Sequence, residues 1–168
     1  MPLSMYQASV PVFRHILGAL SAILDNADTY AAERKIDPAV LLNTRLFPDM
    51  FPLMRQVQIA CDQAKGCAAR LAGAAVPSYE DTEASVADLK ARIAKTLAFV
   101  ESFAPPQIDG SEDRPVTVKL RSGELAFTGQ DYLLKFVLPN FYFHATTAYD
   151  ILRHSGVPLG KRDFLGGT

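Results

Sequence analysis

With 168 residues, 49% of them hydrophobic and 21% charged, the chain is long enough to bury an ordinary globular core without disulfide or metal staples. Its 17 Lys and Arg against 18 Asp and Glu leave a formal net charge of −1, and the basic residues are scattered, so no nucleic acid and no anionic membrane is expected as a partner. No apolar run reaches the roughly 20 residues of a membrane span, and residues 16–24 lack the basic lead of a signal peptide, which predicts one cytoplasmic domain over residues 1–168.

The first long segment, residues 4–34, repeats Phe13, Leu17, Leu20, Leu24, Ala27 and Ala31 at spacings of three and four, one face of a helix. Pro11 inside it predicts a kink or a late start. Asp37-Pro38 reads as an N-cap and first helical residue of a short helix to about Asn43. Two prolines in residues 45–52 make a turn into helix two, whose stripe is Met50, Met54, Val57, Cys61, Ala64, Ala68 and Leu71, with Gly73 ending it. Cys61 and Cys67 are six positions apart and face different sides, which suits two small buried hydrophobes better than a bridge.

Thr82 is the expected cap of helix three, which carries Val86, Leu89, Ile93, Leu97 and Val100 and stops at Pro105-Pro106. Residues 107–114 read as loop. Val116, Val118 and Leu120 then alternate with polar residues before Arg121-Ser122-Gly123, and residues 124–127 follow, the pattern of a β-hairpin. Two strands alone are marginal in water, so the hairpin should lean on the bundle or on a partner chain. Thr128 with Asp131 opens helix four, Leu134, Val137, Phe141, Ala148, Ile151 and Leu152 give its core face, Pro139 should bend it, and Gly156 ends it. A loosely packed, Gly-rich tail follows. The predicted architecture is mainly α, a four-helix up-down bundle with a short β-hairpin before the last helix.

Bundles place ligand and metal sites among polar side chains on inward faces. His144 is the leading candidate, since it shares a face with Val137, Phe141, Ala148 and Ile151, and Asn140 stands one turn before it. An Asn-x-x-x-His pair offers an oxygen and a nitrogen to one ion, a poorer set than two histidines. The competing reading is a hydrogen-bonded core histidine beside an Asn that answers the backbone gap at Pro139. Gln58 and Asp62, four apart on helix two, either complete a site with His144 or form a solvated stripe. His15, among small residues, reads as a packed or interface histidine, and His154 as a helix-end residue. No phosphate-cradling Gly loop and no nucleophile elbow is present.

The run Leu138-Pro-Asn-Phe-Tyr-Phe-His144-Ala-Thr-Thr-Ala-Tyr149-Asp-Ile-Leu-Arg153-His-Ser-Gly156-Val-Pro158, followed by Gly160-Lys-Arg-Asp-Phe164, resembles a bacterial family of unknown function in the DinB/YfiT-like superfamily of proposed metalloenzymes. Residues 5–24 and 48–65 are similar to it as well. The resemblance implies a four-helix bundle, often dimeric, whose relatives bind a divalent metal through one histidine of helix two and a His-x-x-x-His on the last helix. His144 matches the second histidine of that pair, Asn140 stands in place of the first, and the helix-two position falls near Gln58 to Asp62, where no histidine occurs. The expectation is therefore a degenerate metal site centred on His144, with Asn140, Asp62 and Gln58 lining a small-molecule pocket. His144 is its one candidate metal ligand. No cofactor is expected, with Zn²⁺ or Ni²⁺ as the alternative. The competing expectation is a non-catalytic homodimeric bundle that binds a partner. The sequence leaves open whether the protein is an enzyme.

Overall fold

Val10–Arg34 forms helix α1, in a computed structural model that describes residues 3–120 and 123–167. Pro11 sits in its first turn, where the missing amide would have had no partner, so the helix starts late rather than kinking. Phe13, Leu17, Leu20, Leu24, Ala27 and Ala31 are all buried, as their spacing predicts. Lys35 closes α1 with φ 55°, the one non-glycine residue with positive φ among the described residues. Helix α2, Pro38–Asn43, is capped by the Asp37 carboxylate, which accepts from the Ala39 amide at 2.9 Å.

Helix α3, Leu53–Ala72, ends at Gly73 with φ 69°. Helix α4, Val86–Glu101, begins three residues later than Thr82 would have it. Ser85 and Asp88 exchange side-chain and backbone hydrogen bonds in a capping box, and that reciprocal pair satisfies two amides where Thr82 satisfies none. One turn of helix, α5 (Pro105–Ile108), forms where Pro105-Pro106 is expected to stop helix three and residues 107–114 to be loop, and it buries Ile108.

Strands β1 (Pro115–Leu120) and β2 (Gly123–Thr128) pair antiparallel, with Pro115 opposite Thr128 and Leu120 opposite Gly123. Val116 and Val118 point into the same core as the helices, so the hairpin leans on the bundle. Of the expected turn, Arg121 and Ser122 lie outside the described residues. The Phe127 ring meets those of Tyr132 and Phe136 at 6.0 and 5.3 Å.

The last long helix has three parts. A first turn, α6 (Gly129–Asp131), is capped by Thr128, whose hydroxyl accepts from the Asp131 amide. Tyr132–Val137 is π-helical, and α7 (Leu138–His154) follows. Pro139 offers no amide, and in an α-helix its ring would press on the carbonyl four residues back. The wider π turns meet that interruption. Gly156, φ 92°, ends α7 as its position predicts.

The tail is not loose. Val157 and Leu159 are buried, and α8 (Lys161–Phe164) packs on α1, with the Asp163 carboxylate accepting from the Gly160 amide at 2.7 Å. Apolar side chains at 157, 159 and 164 outweigh the glycines around them. The fold is thus a mainly helical bundle with a two-stranded hairpin before its last helix. In it α3 packs closely on both α7 and α4, α4 packs on α1, and Phe13 of α1 meets Phe141 of α7 edge to face at 5.0 Å. Among the described residues no helix is long and apolar enough to cross a membrane.

Candidate functional site

Because α3 packs against two helices, it has two working faces. Residues two apart on a helix point about 200° apart, so Gln56 looks toward α7 while Gln58 looks toward Glu83 in the loop that leads into α4. This decides which residues meet His144.

His144, half-buried on α7, bonds through Nδ1 to Gln56 Oε1 at 2.7 Å. Gln56 is 1% exposed, and its amide nitrogen donates to the Phe51 carbonyl at 2.9 Å. That second bond fixes which end of the amide faces the histidine. Oxygen faces it, so Nδ1 carries the proton and donates, and Nε2 is left as the free acceptor. Burial, assisted by the Arg55 cation, holds the imidazole pKa down at about 4, so the ring is neutral at pH 7. The Phe143 ring stands edge-on to it at 5.2 Å. Phe143 and Phe51, on either side of the His144–Gln56 pair along the chain of contacts, are both more than half exposed.

The other expected residues lie apart from that pair. Asn140 donates its side-chain amide to the Phe136 carbonyl at 2.6 Å, within the π-helical stretch, and not to His144. Gln58 accepts from Arg55 and donates to Glu83 at 2.8 Å. Asp62 pairs with Lys65 at 2.9 Å and with Arg92 at 3.0 Å. His15 is exposed, with its ring against the backbone of Gly166.

Gln58 and Asp62 belong to a second assembly centred on Arg92, whose side chain is 2% exposed. Arg92 holds Asp62, Asp81, Glu83 and the Glu80 carbonyl, which straps the loop between α3 and α4 onto both helices. Tyr79 of the loop carries Lys65 Nζ 3.8 Å and Lys95 Nζ 4.1 Å from its ring centroid. A cavity of about 600 Å³ lies here, lined by Tyr79, Glu83, Arg92 and Lys95 among others, and His144 is not part of it. Burial raises the Tyr79 phenol, and it pushes the neighbouring Cys61 thiol up to about 12. Cys61 and Cys67 are free, buried thiols.

A divalent ion of the kind the resemblance implies needs about three protein donors on one point. At His144 the donor set is one imidazole nitrogen, since Nδ1, Asn140, Gln58 and Asp62 are all engaged elsewhere. Among the described residues no three His, Cys, Asp or Glu side chains are grouped to hold a metal. The residues therefore do not fit that ion.

The Gln56 side chain was not singled out in the sequence, although a signal exists. It interrupts a second apolar stripe of α3 through Leu53, Ala60 and Cys67, as His144 interrupts the stripe of α7.

The bundle is of the DinB-like class. A crystal structure of a DinB family member protein from Shewanella denitrificans is 41% identical to the chain, with a TM-score of 0.88 over 97% of this chain and 92% of that one. The family model described as "Domain of unknown function (DUF1993)" matches residues 5–165, and the chain belongs to that family. No curated protein matches it.

Proposed function

We propose that this DinB-like protein binds a small organic molecule at His144, through an imidazole that accepts a hydrogen bond rather than one that holds a metal. The Gln56–His144 pair carries the reading. It presents a neutral ring in a single tautomer, with a free Nε2 and the exposed Phe143 ring edge-on to it, while the exposed Phe51 accepts from Gln56 through its carbonyl. The matching ligand has an apolar body and one donor, such as a hydroxyl or amine. With a pKa of about 4 the ring is a weak base at neutral pH, well below the range in which proton abstraction is efficient. Binding therefore suits it better than acid–base catalysis.

Phenol is a suitable probe. Histidine side-chain nitrogen spectra should show a saturable phenol-induced shift at His144 Nε2, absent in Gln56→Leu, where the ring is no longer oriented. An unmoved Nε2 signal at saturating phenol sinks the reading. The metal is tested separately. After incubation with Zn²⁺ or Ni²⁺ and desalting, the wild type should retain no more ion than His144→Ala, and a stoichiometric ion lost in that variant would reinstate the metal centre.

The exposure of Phe51 and Phe143 also supports a second reading, a homodimer that covers them. Sedimentation at micromolar concentration would then give a dimeric mass that Phe143→Asp converts to a monomer.

A further inference from the structure

Where α3 ends beside the first strand, two guanidinium groups face one concavity. Arg70 lies in the last turn of α3, and Arg114 immediately precedes β1. With Gly73, Thr117 and three other uncharged residues they line a cavity of about 350 Å³. Arg70 is fixed by donating Nη1 to the buried Tyr132 hydroxyl at 3.0 Å, with its guanidinium 5.8 Å from the centroid of the same ring. Among the described residues no carboxylate pairs with either arginine, whereas Arg14, Arg55, Lys65, Lys90, Arg92, Lys119 and Lys135 all have one.

Two glycines, Gly66 within α3 and Gly73 just past its end, make room for the pair. A Cβ on Gly66 would stand 2.6 Å from Arg70 Nη1, and one on Gly73 would stand 2.1 Å from Arg114 Nη1. Each guanidinium thus lies close against the helix in space that only glycine leaves open. Gly73 also supplies the left-handed cap, so the residue that stops α3 also admits Arg114.

We propose that this concavity is an anion site for a phosphate-bearing small molecule. Arginine forks match the oxygens of a phosphate in pairs, which a lone ammonium does not. The carbonyl end of α3 opposes an anion with about half a negative charge, but two full positive charges outweigh it. Two of those carbonyls are already engaged, Arg70 O by the Gly73 amide at 3.1 Å and Ala69 O by the Ala74 amide at 2.8 Å. The volume sits near the lower end of the range for small-ligand sites, about 300–1,000 Å³. The site shares no residue with the His144 pair and stands independently of it.

A soluble phosphate ester and a phospholipid headgroup share this chemistry, and two titrations of the whole chain separate them. One uses inorganic pyrophosphate, followed by calorimetry at low salt. The other uses vesicles of phosphatidylcholine with phosphatidic acid, followed by cosedimentation. Saturable pyrophosphate binding is expected, weakened about tenfold or more in Arg70→Gln and in Arg114→Gln, as for loss of a charge-assisted hydrogen bond. Arg153→Gln, an exposed cation on α7, should leave it within about twofold, as an exposed charge away from the ligand does. Vesicle binding with the same dependence would assign the headgroup instead. Failure of both probes to bind, or equal weakening by all three substitutions, overturns the proposal. Arg114 is exposed and unpaired, so its substitution keeps the test decisive even if Arg70→Gln disturbs Tyr132.

Discussion

At the residue scale the decisive contact is the one from Gln56 to His144. Replacing Gln56 by Leu leaves the Nδ1–H without an acceptor in a half-buried place, which should lower stability by about 1–3 kcal/mol; urea denaturation measures it. His144→Gln keeps a polar group there and should lose less. Arg92 is the second test. Its side chain is 2% exposed and holds three carboxylates, so Arg92→Ala strands Glu83 and Asp62 beside a void. Removing one partner of a buried ion cluster costs about 3 kcal/mol or more, and a loss under about 1 kcal/mol would mean that the strap loop carries no weight. His144 was legible in the sequence because a polar residue in an apolar stripe stands out. Its partner was not, because α3 is buried on two faces and its second stripe, broken at Gln56, hides behind the stronger one. For Gln58 and Asp62 the spacing left open a site with His144 or a solvated stripe, and in the structure Gln58 bonds to Glu83 of the loop before α4 and Asp62 to Arg92 of α4, away from α7. Periodicity gives a side chain's direction and leaves open which helix stands there.

At the element scale, most boundaries follow from short-range chemistry and were legible for that reason. Asp37, Thr128, Gly73 and Gly156 cap or stop helices through bonds among residues that are neighbours in the chain. The start of α4 was misplaced because two hydroxyl residues compete for it, and only Ser85 has an acid three positions on. Ser85→Ala should therefore destabilise by about 1 kcal/mol, with Thr82→Ala near neutral; chemical denaturation of both separates the two caps. The left-handed Lys35 predicts the opposite sign. A non-glycine residue held there is disfavoured by about 1 kcal/mol, so Lys35→Gly should raise the midpoint of unfolding, and a fall would show that its side chain contributes more than its backbone loses. The π-helical stretch was not legible beyond an interruption at Pro139. A missing amide can be met by a bend, a break or a wider turn, and the choice rests with the packing of Tyr132, Leu133 and Val137 in the core.

For the molecule as a whole, pH is the informative variable. The unfolded chain takes a proton at His144 near the ordinary 6.5, but the folded chain resists it until about 4. Between those values the unfolded state binds more protons, so stability is full above pH 6.5 and falls as pH drops toward 4. Glu83 adds to the loss at lower pH. Burial pushes its carboxyl upward, but the hydrogen bonds from Arg92 and Gln58 prevail and hold it below its usual value. Asp88, held low by the backbone amides it accepts from and by Ser85, acts in the same direction. Urea midpoints from neutral pH to about pH 4 should slope downward, and His144→Gln should flatten the upper part of that slope while leaving the lower part. A variant with the wild-type slope throughout would remove the neutral imidazole from the account. The segment after α7 has a consequence of its own. Val157 and Leu159 are buried, α8 covers part of α1, and the Tyr30 hydroxyl of α1 donates to the Ser155 carbonyl. During synthesis α1 leaves the ribosome long before its cover does. A nascent chain stalled ahead of residue 157 would hold an unsealed first helix, a natural target for chaperones.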